Sequence, residues 1–107
     1  MKAVYWQKGE ALDYTPAENT ANGSVVSLGT RIGIAAGDIP AGSTGTIHVE
    51  GVFKLAKAEG TAIALGAAVC YDAESDVITA TEGGVPAGYA AAPAAADDPV
   101  VLVKLLG

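Results

Sequence analysis

Two groups in this 107-residue chain have the types and spacing for acid–base chemistry. They are His48 and Glu50, two places apart in "IHVEGVFKLAK" at residues 47–57. His48 is the chain's one imidazole, and an imidazole beside a carboxylate can move a proton near neutral pH. Such a pair also needs a group to orient the ring and a nucleophile or metal to act through. The single cysteine, Cys70, has no activating neighbour in sequence and reads as a small buried side chain. No Gly-x-Ser-x-Gly, Cys-x-x-Cys or His-Glu-x-x-His pattern occurs. The expectation is no catalytic residue, with His48 and Glu50 on the wet side of a strand.

Two further stretches resemble ligand loops and fail on composition. "YDAESD" spaces Asp72, Glu74 and Asp76 like the start of a calcium loop, but the sixth and twelfth positions are Val77 and Gly83 instead of Gly and Glu. An acid-rich hairpin turn is the reading that remains. "GDIPAGSTG", residues 37–45, is glycine-rich but lacks the Gly-Lys-Ser/Thr ending of a phosphate cradle, and no helical pattern follows it. No metal or cofactor site is expected.

Charge and hydropathy narrow the partners. Twelve acidic residues against six basic leave −6 at pH 7, which argues against nucleic acid as a partner. The longest uncharged run, residues 83–96, contains three Gly and two Pro. It is too short for a membrane helix, which needs about 20 apolar residues. "MKAVYWQKGE" has no apolar leader core, so no signal peptide and no membrane association are expected. Folding in a reducing cytoplasm follows from the lone cysteine.

The elements that would position these residues are strands. Gly and Pro punctuate short alternating or β-branched runs at residues 3–7, 11–15, 24–28, 32–36, 47–55, 67–72, 77–81, 85–91 and 100–106. Within 32–36, Ile32, Ile34 and Ala36 would share a face. Within 47–55, Ile47, Val49, Phe53 and Leu55 would face the core, and His48, Glu50, Val52 and Lys54 would face water or a partner. The run 100–106 is nearly all apolar and reads as a strand buried on most of both faces. At most one helical turn is expected, near residues 57–60. The Ala-rich stretch at 89–99 is interrupted by Pro93 and closed by Pro99, and reads as a loop. This pattern predicts one all-β domain over residues 1–107, a small antiparallel barrel or sandwich.

Twenty-two residues are Ala and aromatics are only 6%, so a thin, Ala-rich core is expected, one that gains from burial between subunits. The first residues stand apart. Lys2, Tyr5, Trp6 and Lys8 place two cations and two aromatics in a chain otherwise acidic and poor in aromatics. Tyr5 and Trp6 would point to opposite sides of a strand. Core packing is the commoner fate of such residues, and contact with a partner is the alternative.

The order of segments carries a resemblance. "AGDIPAG" is followed by "VEGVFKLAK", then by "GAAVCYD" at 66–72, "PAGYAAAPAAADD" and a closing "VVLVKLLG". Over essentially its whole length the chain resembles the phage capsid cement, or head decoration, family. That family was formerly grouped as a domain of unknown function with a recombinase-like label. The sequence supports no recombinase, since it has no phosphate-binding loop. It departs from the family pattern at Ala67, where an Asp is common, and at "ESD", where an Asp-Gly turn is usual. The resemblance implies a structural virion protein, made in the host cytoplasm, on the outer capsid surface. It implies the major capsid protein as partner, bridging of neighbouring capsid subunits, and a homo-oligomer. A trimer is favoured over a dimer, because capsid junctions often have local threefold symmetry. The candidate interface residues are Lys2, Tyr5, Trp6, Lys8, His48 and Glu50. The alternatives are a surface-displayed carbohydrate- or cell-binding module and, less favoured, a small hydrolase using His48 with Glu50.

Overall fold

The computed structural model describes residues 1–106. Nine strands and no helix form among them: β1 Ala11–Tyr14, β2 Val25–Ser27, β3 Ile32–Ala35, β4 Gly45–His48, β5 Val52–Ala56, β6 Ala68–Asp72, β7 Val77–Thr79, β8 Val85–Ala90 and β9 Val100–Leu105. They make two antiparallel sheets, ordered β1-β4-β3-β2 and β5-β9-β8-β6-β7. The larger sheet curls until Lys57 bridges Ile78, but the ladder does not close into a barrel. The architecture is a sandwich. Residues 57–60 form a bridge and a turn with no helix.

The main core lies between the sheets. Ile32 and Ile34 of β3 meet Val69, Tyr71, Ile78, Ala87, Val101, Val103 and Leu105 of the larger sheet. A second cluster, Val26, Ala35, Ile39, Ile47 and Val49, covers the other side of the small sheet. β3 is therefore buried on both faces. Ile32 and Ile34 do share a face, whereas Ala36 lies beyond the strand and is exposed. Ile39 belongs to the loop at 37–45 and is 3% exposed. It fills the second cluster from outside any strand, beside Thr20, whose backbone it bridges.

The core is β-branched rather than Ala-rich. Only Ala35, Ala87, Ala90 and Ala94 are among its buried apolar residues. Ile and Val dominate because they fit a pleated, half-buried surface, and each large side chain buried contributes roughly 1.5–3 kcal/mol. Most of the 22 Ala lie on loops and outward strand positions.

Two local devices set the sheet geometry. Gly51, at φ +113°, breaks the predicted strand 47–55 into β4 and β5, which belong to different sheets. A side chain is strained at that φ, so the glycine is the corner. The alternation nevertheless survives the corner: Ile47 and Val49 are buried, Phe53 and Leu55 half-buried, and His48, Glu50, Val52 and Lys54 exposed. In β8 the register against β6 slips between Val69 and Cys70, a β-bulge that adds twist. Gly88 there has φ +139°, and a Cβ on it would sit 1.9 Å from the Lys104 carbonyl oxygen. Only glycine lets β8 lie this close to β9.

Two polar groups anchor the ends of the large sheet. Lys57 is buried at 4% exposure, and its Nζ donates to the carbonyls of Ala58 and Ala96 at 2.9 and 3.1 Å. That ties the loop at 91–99 to the end of β5. Tyr71 donates its phenolic proton to Asp76 Oδ1 at 2.6 Å across the β6–β7 hairpin. Burial, and then the Asp76 carboxylate, push the phenol up to about 12.

The segment at 3–7 forms no strand. Its alternation fits one, but it reaches no neighbouring strand, and an isolated strand leaves its backbone groups to water. β9 differs from expectation in another way. Val101, Val103 and Leu105 are 2%, 0% and 1% exposed, but Val100 and Leu102 remain 39% and 37% exposed. One face of β9 is buried rather than most of both.

Candidate functional site

The site is built where the N-terminal arm joins the small sheet. Ala11 of β1 lies opposite His48 of β4, and the Val49 amide donates to the Glu10 carbonyl at 3.0 Å. This pairing ends at Glu10, so residues 1–9 leave the sheet beside His48 and Glu50. Lys8 Nζ pairs with Glu10 Oε1 at 2.9 Å, both side chains well exposed. The hydrogen bond to Glu10 and its charge hold the Lys8 ammonium above its usual range, and the Glu50 carboxylate adds in the same direction. Lys8, Glu10 and Glu50 therefore share one charged patch at the root of the arm, next to the strand position of His48 opposite Ala11.

Beyond this root the arm projects. Tyr5 and Trp6 are 82% and 88% exposed, and Val4 is 85% exposed. Neither aromatic joins a core cluster. Of the two fates open to them in the sequence, packing in this chain's core is excluded. The structure thus brings Glu50 within electrostatic reach of Lys8, leaves His48 on the adjoining strand β4, and leaves Tyr5 and Trp6 exposed on the arm with Lys2.

His48 stands exposed beside an aromatic ring. Its ring lies 5.9 Å from the Phe53 ring, tilted by 33°, so Phe53 supports it across the Gly51 corner. His48 and Glu50 are both exposed. Cys70 is half-buried on β6 of the other sheet. A groove of about 760 Å³ is lined by Tyr71, Asp72, Glu74, Thr79 and Glu82 among others and includes neither His48 nor Glu50. In the acidic hairpin, Asp72 Oδ1 accepts the amides of Glu74 and Ser75 at 3.0 and 3.4 Å. That carboxylate holds the turn. Among the described residues no group of three His, Cys, Asp or Glu side chains is placed to hold a metal ion, and no helix is long and apolar enough to cross a membrane.

A second exposed surface escaped the sequence reading. It is the outer side of the larger sheet, where Val52, Tyr89, Val100 and Leu102 lie exposed beside Lys54 and Lys104. Its signal was in the sequence: the run "VVLVKL" has apolar residues on both faces of one strand. By itself that run reads as buried on most of both faces, because nothing in a single chain says which faces will find cover.

Comparison with known proteins agrees with the family resemblance. No curated protein and no solved structure matches the chain. A family profile described as phage cement protein matches residues 6–105, which takes in Trp6, the arm root, both sheets and the whole of β9. With nearly the full length of the chain matched, this protein belongs to the phage cement protein family, whose members are structural components of the phage capsid.

Proposed function

We propose that this chain binds the outer surface of the assembled capsid, bridges neighbouring major capsid subunits and thereby stabilises the shell. It does so as a single domain, residues 1–107, with an arm at about residues 1–8, and as a homo-oligomer, a trimer in preference to a dimer. A ligand that binds only the assembled state stabilises it by mass action, so no catalytic step is required and none is assigned. Synthesis in the host cytoplasm precedes addition to the virion.

The observation that carries this reading is the arm. Tyr5 and Trp6 are large aromatics held almost fully in water, on a segment with strand-type alternation and no neighbour to pair with. Aromatic anchors of this kind supply much of the energy in protein interfaces. The root patch of Lys8, Glu10 and Glu50, next to His48, would set the direction in which the arm leaves the body.

The test adds purified chain to capsids that lack it, with electron microscopy and a heat or low-salt challenge as readouts. Added surface density and greater survival are expected. Equal survival with no added density defeats the reading. Deleting residues 2–7 should abolish or strongly weaken binding while the body stays folded, and unchanged binding would remove the arm from the mechanism. His48→Ala should fold normally and bind nearly as well as the parent chain, because His48 lies at the edge of the contact.

A further inference from the structure

Strand β9 has apolar side chains on both faces, and the monomer covers one. A near-continuous apolar run such as "VVLVKL" is the pattern of a strand buried on both sides. The inner set, Val101, Val103 and Leu105, is at most 2% exposed, whereas Val100 and Leu102 stay 39% and 37% exposed. The register extends this surface sideways. Val52 lies opposite Lys104 and Lys54 opposite Leu102, while Lys104 also faces Tyr89 on β8. Val52 is 53% and Tyr89 40% exposed. Strands β5, β8 and β9 contain no Asp or Glu.

Charge indicates what covers it. The face holds two of the six cations. Removing those two from a net charge of −6 leaves −8 for the rest of the chain. Two copies meeting through this same face would bring four lysines together in a partly dehydrated contact, where like charges repel strongly. A copy approaching through any of its acidic surfaces meets a complementary one.

We infer that the outer face of β5, β9 and β8 receives a second copy of this chain, which docks through a different, acidic face. Such a contact is heterologous, and repeated by rotation it closes a ring. The inference rests on the homo-oligomer proposed above and specifies its surface and its polarity. Val52, Val100 and Leu102 supply apolar burial, Tyr89 the aromatic contact, and Lys54 and Lys104 the steering charge.

The experiment measures the mass of the isolated full-length chain by sedimentation, at low and high salt, beside Lys54→Glu/Lys104→Glu and Leu102→Ser. The parent chain should associate, and more weakly in high salt. Both variants should dissociate at concentrations at least tenfold higher than the parent does, with unchanged circular dichroism. A parent chain that stays monomeric, or a charge-reversed double variant that associates as well as the parent, overturns the inference. So does preferential one-to-one pairing of the double variant with the parent, since that pattern belongs to face-to-face contact. Capsid binding is measured on the same samples. If monomeric parent binds capsids and the double variant does not, the face belongs to the capsid contact: the inference falls and the cement reading stands. If the chain associates through this face but never binds capsids, the inference stands and the cement reading falls.

Discussion

Residues 3–7 of the arm and strand β9 at Val100–Leu105 are both apolar-rich, and both read as strands in the sequence. β9 lies between β5 and β8, with ladder partners on each side, and its inner side chains are sealed in the core. The arm has no ladder, and its two aromatics stand in water. Strand propensity is the same kind of signal in both. What differs is the supply of neighbours: β9 has a paired strand on each side, whereas the arm leaves at the edge of the small sheet, beyond β1. A strand forms where its backbone groups find partners, and alternation alone does not provide them.

The comparison breaks most sharply at Gly88. An alanine there would drive its Cβ into the Lys104 carbonyl of β9 at a φ that side chains rarely adopt. The cost expected for Gly88→Ala is about 3–5 kcal/mol, enough to lower the melting temperature by roughly 12–20 °C in a domain of this size. Calorimetry or thermal circular dichroism checks it. A Gly→Ala change at Gly9, where a Cβ meets nothing within 4 Å, should cost far less.

A smaller effect is expected from Tyr71. Its phenol is raised to about 12 in the folded chain, against about 10 when unfolded. Below pH 10 both states keep the proton and the contribution is complete. Between pH 10 and about 12 the unfolded chain loses the proton while the native one holds it, so stability falls as pH rises, by up to ~2 kcal/mol. Denaturant titrations at pH 9, 10.5 and 11.5 would show this decline, and it should be much shallower in Tyr71→Phe. Equal slopes for the two chains would mean that Tyr71 titrates alike in both states.

The smallest effect sharpens the other side of the comparison. Replacing Tyr5 and Trp6 together by Ser should change folding stability by no more than ~0.5 kcal/mol, measured by the same titrations at neutral pH. Loss of capsid binding with unchanged stability would assign the arm to recognition alone. A large loss of stability would show that the arm packs on the body.

Within the candidate site, the residue-level reading and the spatial one separate at Gly51. The exposed set His48, Glu50, Val52 and Lys54 was legible from period-two alternation. That Glu50 acts on the Lys8 charge, while Val52 and Lys54 lie on a different sheet, was not legible. A glycine corner redirects the chain without disturbing the in–out pattern. The outer face of β9 was misread for a related reason, because alternation records how apolar each face is but not whether the same chain covers it. Lys57 was equally hidden. A lysine reads as surface, and only the carbonyls of Ala58 and Ala96, the latter 39 residues away in sequence, make its burial tolerable.

The sequence by itself determined the eight strand-bearing runs beyond the arm, one of which divides into β4 and β5, the absence of a catalytic motif, the acidic balance and the family. These rest on local signals: β-branched alternation, Gly and Pro punctuation, and residue types at fixed spacing. Only the tertiary structure decided which strands share a sheet, that the core is Ile and Val rather than Ala, that Ile39 and Lys57 are buried, and that the arm and one face of β9 are left uncovered. Those outcomes depend on which groups meet across tens of residues, and burial and hydrogen bonding are properties of the pair rather than of either residue.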